Sequence, residues 1–215
     1  MTTPHKEMPE KNPVVEEYAR TAPDYESKWS FYVDTTTRET IARVNMGPTD
    51  RVLDVGCGTG SLLYHLASSS PKAQLFGIDL VPEMLAIARR RLPSSVELRE
   101  GSAERLPFED EHFDVVISCN MFHYIRYPNP ALREMYRVLR PGGQFVVTDW
   151  CDDYIACRIC DLYLRFFNRA HFKTYGIQEC TSLLEEAGYA EVKVERYKIN
   201  WFWGLMTARG KRYEA

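Results

Sequence analysis

The chain has 215 residues, of which 45% are hydrophobic and 27% charged, the balance of one soluble globular domain. Its 27 Lys and Arg are outnumbered by 30 Asp and Glu, giving a net charge of -3 that does not supply the basic surface sequence-independent nucleic-acid binding needs. No apolar run nears the length of a membrane span, and the polar start MTTPHKEMPEKNPVVEE lacks the basic-then-apolar order of a secretory signal.

Residues 1–48 are rich in charges and aromatics and carry no strand signal. Trp29, Tyr32, Val33, Thr36, Thr40 and Ile41 fall at helical spacing, which predicts an N-terminal helical cap behind a disordered tip. Gly47-Pro48-Thr49-Asp50 is a turn cluster, and residues 49–215 then alternate short β-branched runs with longer helical stretches. Strands are expected at 52–55, 74–79, 96–99, 114–118 and 143–148, with helices at 61–68, 82–91 and 130–139. Such alternation builds an α/β fold around a parallel sheet. After a helix at 178–187, the runs 191–197 and 201–207 have no helix between them and read as a closing antiparallel hairpin. Cys57, Cys119, Cys151, Cys157, Cys160 and Cys180, in a chain read as having no leader, suit reduced thiols and a cytoplasmic location.

The sharpest motif is Asp54-Val55-Gly56-Cys57-Gly58-Thr59-Gly60, directly after one expected strand and directly before a helix. Glycines there allow a tight turn and close backbone approach to a ligand, while the helix start offers free N–H groups. Asp79 ends the next strand, where a carboxylate can accept both hydroxyl hydrogens of a ribose. The G-x-G-x-x-G spacing of dinucleotide sites fails, because Ser61 holds the third glycine's place, so hydride transfer fits poorly.

With Gly101-Ser102-Ala103-Glu104-Arg105-Leu106-Pro107-Phe108, Phe113-Asp114-Val115-Val116 and Val138-Leu139-Arg140-Pro141-Gly142-Gly143 in order, residues 51–150 resemble the class I S-adenosylmethionine-dependent methyltransferases. The likeness is greatest to the quinone, sterol and small-molecule branch. The resemblance implies a Rossmann-like methyltransferase fold, a mostly parallel seven-stranded sheet with a closing antiparallel hairpin. It implies S-adenosyl-L-methionine as cofactor and S-adenosyl-L-homocysteine as product. By that resemblance Asp54 and the Gly56 carbonyl face the methionine amino group, within a loop completed by Cys57, Gly58 and Gly60. Asp79 takes the ribose, Leu80 packs on the adenine, and Ser102, Ala103, Glu104 and Cys119 complete the cofactor contacts. Ser102 stands where this branch usually carries Asp, which weakens the polar contact to the adenine amino group and leaves more to the Ala103 backbone.

Methyl transfer from a sulfonium is an in-line displacement, so the protein mainly aligns the acceptor and removes its proton where required. The acceptor belongs at the carboxyl ends of the strands. Three segments are expected there. Residues 119–124 lack the Asn/Asp-Pro-Pro-aromatic tetrad of nucleic-acid base methyltransferases, and offer Tyr124 and a candidate general base, His123. Residues about 150–176 supply Trp150, Tyr154 and His171, read as a substrate-covering insertion or, for Ile155, Ile159, Leu162 and Phe166, as ordinary helix core. Trp29 and Tyr32 of the N-terminal cap are the third group, with an oligomer contact as the alternative use. Cys157 and Cys160 do not make zinc knuckles, and no metal is expected. The function expected is methylation of a small molecule at an aromatic or quinone-like carbon or oxygen, or at a soft thiol-type nucleophile. The alternative is a non-catalytic cofactor-binding scaffold or sensor. No nucleic acid and no membrane span are expected, and the oligomeric state is left open.

Overall fold

A computed structural model describes residues 12–214; the tip expected to be disordered lies outside them. Helix α1 (Pro13–Thr21) starts where Asn12 Oδ1 accepts the Val14 N–H at 2.9 Å, with proline in its first turn. After one tight turn α2 (Tyr25–Ile41) follows. The remaining elements are β1 (Arg51–Val55), α3 (Ser61–Ser69), β2 (Gln74–Asp79), α4 (Pro82–Arg91), β3 (Glu97–Glu100), β4 (Phe113–Cys119), α5 (Pro128–Val138) and β5 (Leu139–Trp150). They end with α6 (Ile155–Phe167), α7 (Ile177–Glu186), β6 (Ala190–Lys198) and β7 (Gly204–Lys211).

Among the described residues seven strands form one sheet in the order β3-β2-β1-β4-β5-β7-β6. β1 to β5 pair in parallel, and β7 runs antiparallel between β5 and β6. Both faces of the sheet are covered, which is why β1 is apolar on both sides. Leu53 and Val55 pack with Met135 of α5 and Leu184 of α7, whereas Val52 packs with Leu63 and Leu66 of α3. Because β1 lies between β2 and β4, the chain leaves the sheet in opposite directions there and opens a crevice at the carboxyl ends of β1 and β4.

Two expectations are corrected. The second hairpin strand begins at Gly204, not Trp201, because Asn200 Oδ1 accepts the Phe202 and Trp203 N–H groups at 2.8 and 2.6 Å and holds residues 200–203 in a turn. The helix-core reading of α6 is reversed: Ile155, Ile159, Leu162 and Phe166 are exposed, and the buried side carries Cys157 and Asp161. Helical spacing put the four on one face correctly; it carried no information on which way that face turns.

Candidate active site

β1 delivers the glycine loop to the crevice, and β2 fastens it. The N–H groups of Gly56 and Cys57 both donate to the Ile78 carbonyl at 2.8 and 3.0 Å. Asp79 then clamps the loop from the side: its Oδ2 accepts from the Gly58 N–H at 2.7 Å and its Oδ1 from the Val81 N–H at 2.9 Å. Burial pushes the Asp79 carboxyl above its usual range, opposed by the backbone N–H groups of Val81, Gly58 and Leu80. A carboxylate accepts about four hydrogen bonds, so capacity remains for ligand hydroxyls.

The glycines differ in purpose. Gly58 has φ +52°, and a Cβ there would meet nothing within 4 Å, so its missing side chain leaves open space at the cavity wall. Gly60, at φ +80°, would drive a Cβ to 2.8 Å from Leu92 Cδ1; it caps α3 and lets α4 pack close.

A cavity of about 680 Å³ runs from this loop to the far side of the crevice. Asp54, Gly56, Cys57, Gly58, Asp79, Leu80, Ser102, Ala103, Glu104 and Cys119 line it together. Gly60 does not, in keeping with its packing role. Asp54 is buried and its Oδ1 has no hydrogen-bond partner among the described residues. Burial, with a smaller contribution from the Asp79 charge, pushes its carboxyl up to about 8. An orphaned carboxylate oxygen beside an open glycine wall fits a ligand that brings an ammonium group, as the methionine end of S-adenosylmethionine does. Burial likewise pushes the Cys119 thiol up to about 12; its Sγ sits 3.3 Å from Thr40 Oγ1 and stays protonated.

The N-terminal helices close the opposite wall with Val14, Tyr18, Tyr25, Val33 and Thr37. Tyr18 and Tyr124 share a short hydroxyl–hydroxyl hydrogen bond across the cavity wall. Burial raises both phenols, Tyr124 to about 12, so this wall is neutral. Beyond it lie Ile125, Arg126 and the segment Arg169 to Phe172.

Of the residues expected to face the acceptor, Tyr124 and His171 line the cavity, whereas Trp29, Tyr32, Trp150 and Tyr154 do not. Tyr32 and Trp150 instead form a latch at the sheet end. Trp150 Nε1 donates to Tyr32 Oη at 2.6 Å, Tyr32 Oη donates to Asn120 Oδ1 at 2.7 Å, and Asn120 Nδ2 donates to Thr36 Oγ1 at 2.6 Å. Trp29 packs into the same cluster, and Tyr154 lies over Gly204. The latch fixes α2 to the ends of β4 and β5. Asn120 can occupy its corner because asparagine tolerates the positive φ, +59°, found there.

His123 is also outside the cavity lining. It is buried, its Nδ1 is 2.6 Å from Asp149 Oδ1, and its N–H donates to Asp149 Oδ2 at 3.0 Å. Its carbonyl accepts the Phe172 and Lys173 N–H groups at 3.0 and 3.1 Å. His123 thus supports the loop bearing His171, whose ring centroid lies 5.4 Å from its own. His171 Nε2 is 2.9 Å from Asp161 Oδ1, and that oxygen also accepts from the Thr174 N–H at 2.7 Å. With Asp161 accepting from Nε2, the ring proton sits there and Nδ1 carries the free lone pair. Nδ1 is buried and has no partner among the described residues. Burial lowers His171 below the usual imidazole range, outweighing the Asp161 hydrogen bond, so the ring is neutral at neutral pH.

Sequence reasoning did not single out Met84, Met121, Arg126 or Arg169, which also line the cavity. Met84 follows Asp79 by five residues on α4 and faces α1, a placement only the helix packing defines. Among the described residues no three His, Cys, Asp or Glu side chains gather as a metal-binding group.

Residues 53–147 match the model of a methyltransferase domain family. The chain is 35% identical over 145 residues to the demethylmenaquinone methyltransferase of Symbiobacterium thermophilum, covering 64% of this chain and 55% of that protein. It is 28% identical over 173 residues to phosphoethanolamine N-methyltransferase 1 of Arabidopsis thaliana, covering 74% of this chain and 33% of that protein. The chain thus spans about half or less of the length of these relatives. A methyltransferase solved in complex with the Haloferax volcanii Trm112 activator superposes with a TM-score of 0.82 at 21% identity, over 92% of this chain and 98% of that one; at this identity the likeness is one of fold. The clamped glycine loop, the sheet order and these matches agree: residues 53–147 carry a methyltransferase domain, set in the fold of the class I S-adenosylmethionine-dependent methyltransferases.

Proposed function

We propose that the protein transfers a methyl group from S-adenosylmethionine to a small-molecule acceptor held between Tyr124, His171 and Phe172. The observation that carries this reading is the continuity of one cavity from the Asp54–Gly58–Asp79 loop to His171. When bound, the cofactor supplies an electrophilic methyl on a sulfonium, with the neutral thioether as leaving group. Asp79 holds ribose hydroxyls, Asp54 meets the ammonium, and Gly58 leaves room for the donor. The N-terminal helices cap the cofactor and keep water from the transfer site. An aromatic or quinone-like carbon or oxygen is the acceptor class favoured, supported by the similarity to a demethylmenaquinone methyltransferase.

His171, rather than His123, is assigned as the base. Its unpartnered Nδ1 is part of a residue that lines the cavity, and Asp161 fixes the ring and offsets the charge acquired on protonation. As the acceptor atom bonds to the methyl carbon, its proton passes to His171 Nδ1. His123 and Asp149 position that loop.

Labelled S-adenosylmethionine incubated with phenols, quinols, amines, thiols and arsenite identifies the acceptor. Label is expected on a quinol or phenol; transfer to no member of a panel broadened around these classes favours the scaffold reading. On the acceptor so found, His171→Ala should lower turnover by about 10²–10⁴-fold, the usual worth of a positioned general base, with cofactor affinity unchanged. Unchanged turnover in that variant removes the assignment.

A further inference from the structure

Helix α6 is amphipathic in the reverse of the usual sense. Globular proteins turn a helix's apolar stripe to the core. Here Ile155, Ile159, Leu162, Tyr163 and Phe166, at i, i+4, i+7, i+8 and i+11, form one stripe and are 77, 63, 59, 60 and 76% exposed. Phe167 extends it at 72%. The core-facing side instead holds Cys157 and the charged Asp161. Trp201, 86% exposed, stands at the tip of the β6–β7 hairpin, which is tied to α6 where Cys157 Sγ donates to the Gly204 carbonyl at 3.2 Å. Contiguous exposure of large side chains at this level marks an interaction surface.

The charges around the stripe say what covers it. From residue 155 to 173 the basic side chains are Arg158, Arg165, Arg169 and Lys173, and the single acid, Asp161, is buried. Arg158 and Arg165 run along one edge of the stripe at helical spacing. Arg196 and Lys198 gather over the Tyr154 ring at the start of the helix. Arg158 is only loosely paired, at 3.5 Å from Asp152, and Arg165 pairs with Asp161 at 2.6 Å. In a chain of net charge -3 this concentration of basic groups is local. An apolar face with aromatic side chains, edged by arginines, is the pattern of a helix that lies in a bilayer interface with its basic groups at anionic headgroups. Among the described residues no helix is long and apolar enough to cross a membrane, so the contact is peripheral.

We propose that α6 and the β6–β7 tip seat the protein on an anionic lipid bilayer. The segment that follows α6, Arg169 to Phe172, lines the cavity, so docking would bring that wall of the cavity to the membrane surface. The proposal rests on surface geometry alone and stands whichever acceptor the cavity takes.

Flotation of the full chain with vesicles of phosphatidylcholine, or of phosphatidylcholine with about one third phosphatidylglycerol, tests it. Binding is expected to the anionic vesicles, weakening with added salt, with a blue shift of tryptophan emission that Trp201→Ser reduces. A basic side chain near an anionic surface adds about fivefold to partitioning, so Arg158→Gln should cost up to that factor. Ile159→Ser with Phe166→Ser should abolish flotation while retaining the circular dichroism and melting temperature of the wild type. Equal flotation of this double variant, or none of the wild type, overturns the proposal. So does a concentration-dependent dimer that the double variant loses, without vesicle binding, since the face would then cover a second copy.

Discussion

Asp54 is a carboxylate whose environment works against its charge until a cation arrives. Its folded value of about 8 lies far above the usual carboxylate value of 3.8, so the folded protein holds a proton there that the unfolded chain has released. Stability of the unligated protein should therefore fall as pH rises from about 4 to about 8, and level off above. Affinity for S-adenosylmethionine should move the opposite way, rising with pH towards 8 as the ammonium displaces the proton. Calorimetry in buffers of different ionisation enthalpy would detect the released proton. Asp54→Asn should bind more weakly and lose that proton release. The glycines make a second test. Gly58→Ala should damage cofactor binding more than Gly60→Ala does and cost less stability, because it carries the left-handed backbone penalty without a clash and its Cβ enters open space at the cavity wall. Gly60→Ala should cost at least about 1–2 kcal/mol of stability, the left-handed backbone penalty, with the Leu92 clash added. Equal effects of the two on melting temperature and on binding would contradict the division of roles.

At the level of elements, the cap formed by α1 and α2 is held through one polar chain: Trp150, Tyr32, Asn120 and Thr36. Tyr32→Phe leaves Trp150 Nε1 without its acceptor and Asn120 Oδ1 without its donor, which should cost about 1–3 kcal/mol. The cap also lines the cavity through Tyr18, Tyr25, Val33 and Thr37, so the same variant should release cofactor faster. Stopped-flow displacement would measure this, and an unchanged off-rate would mean that α2 stays seated without the latch. Trp29 and Tyr32 were legible in the sequence as members of a helical cap. That Tyr32 fastens the cap instead of facing the acceptor depended on what β4 and β5 brought opposite it.

Across the whole molecule the cavity draws on segments far apart in sequence: α1 and α2, the loops after β1, β2, β3 and β4, and the stretch after α6. A ligand that contacts all of them ties both halves of the sheet together. S-adenosylhomocysteine at about a hundred times its Kd should add roughly 2.7 kcal/mol, which for a chain of this size raises Tm on the order of 5–10 °C. A thermal-shift titration would read it directly, and no shift at saturation would count against binding in this crevice.

Local chemistry in the sequence determined the alternation of strands and helices, the glycine loop, the place of Asp79 at the end of the next strand and the closing hairpin. Each depends on residues within one short window, where periodicity and backbone preference act alone. Tertiary structure decided what those windows could not contain. It set His171 at the cavity wall and His123 behind it, because the His123 carbonyl and Asp149 join loops from different strands. It gave Gly60 to helix packing and Gly58 to the cavity. It also turned the apolar stripe of α6 outward, because spacing along a helix fixes which side chains share a face, while the surface opposite decides whether that face is buried.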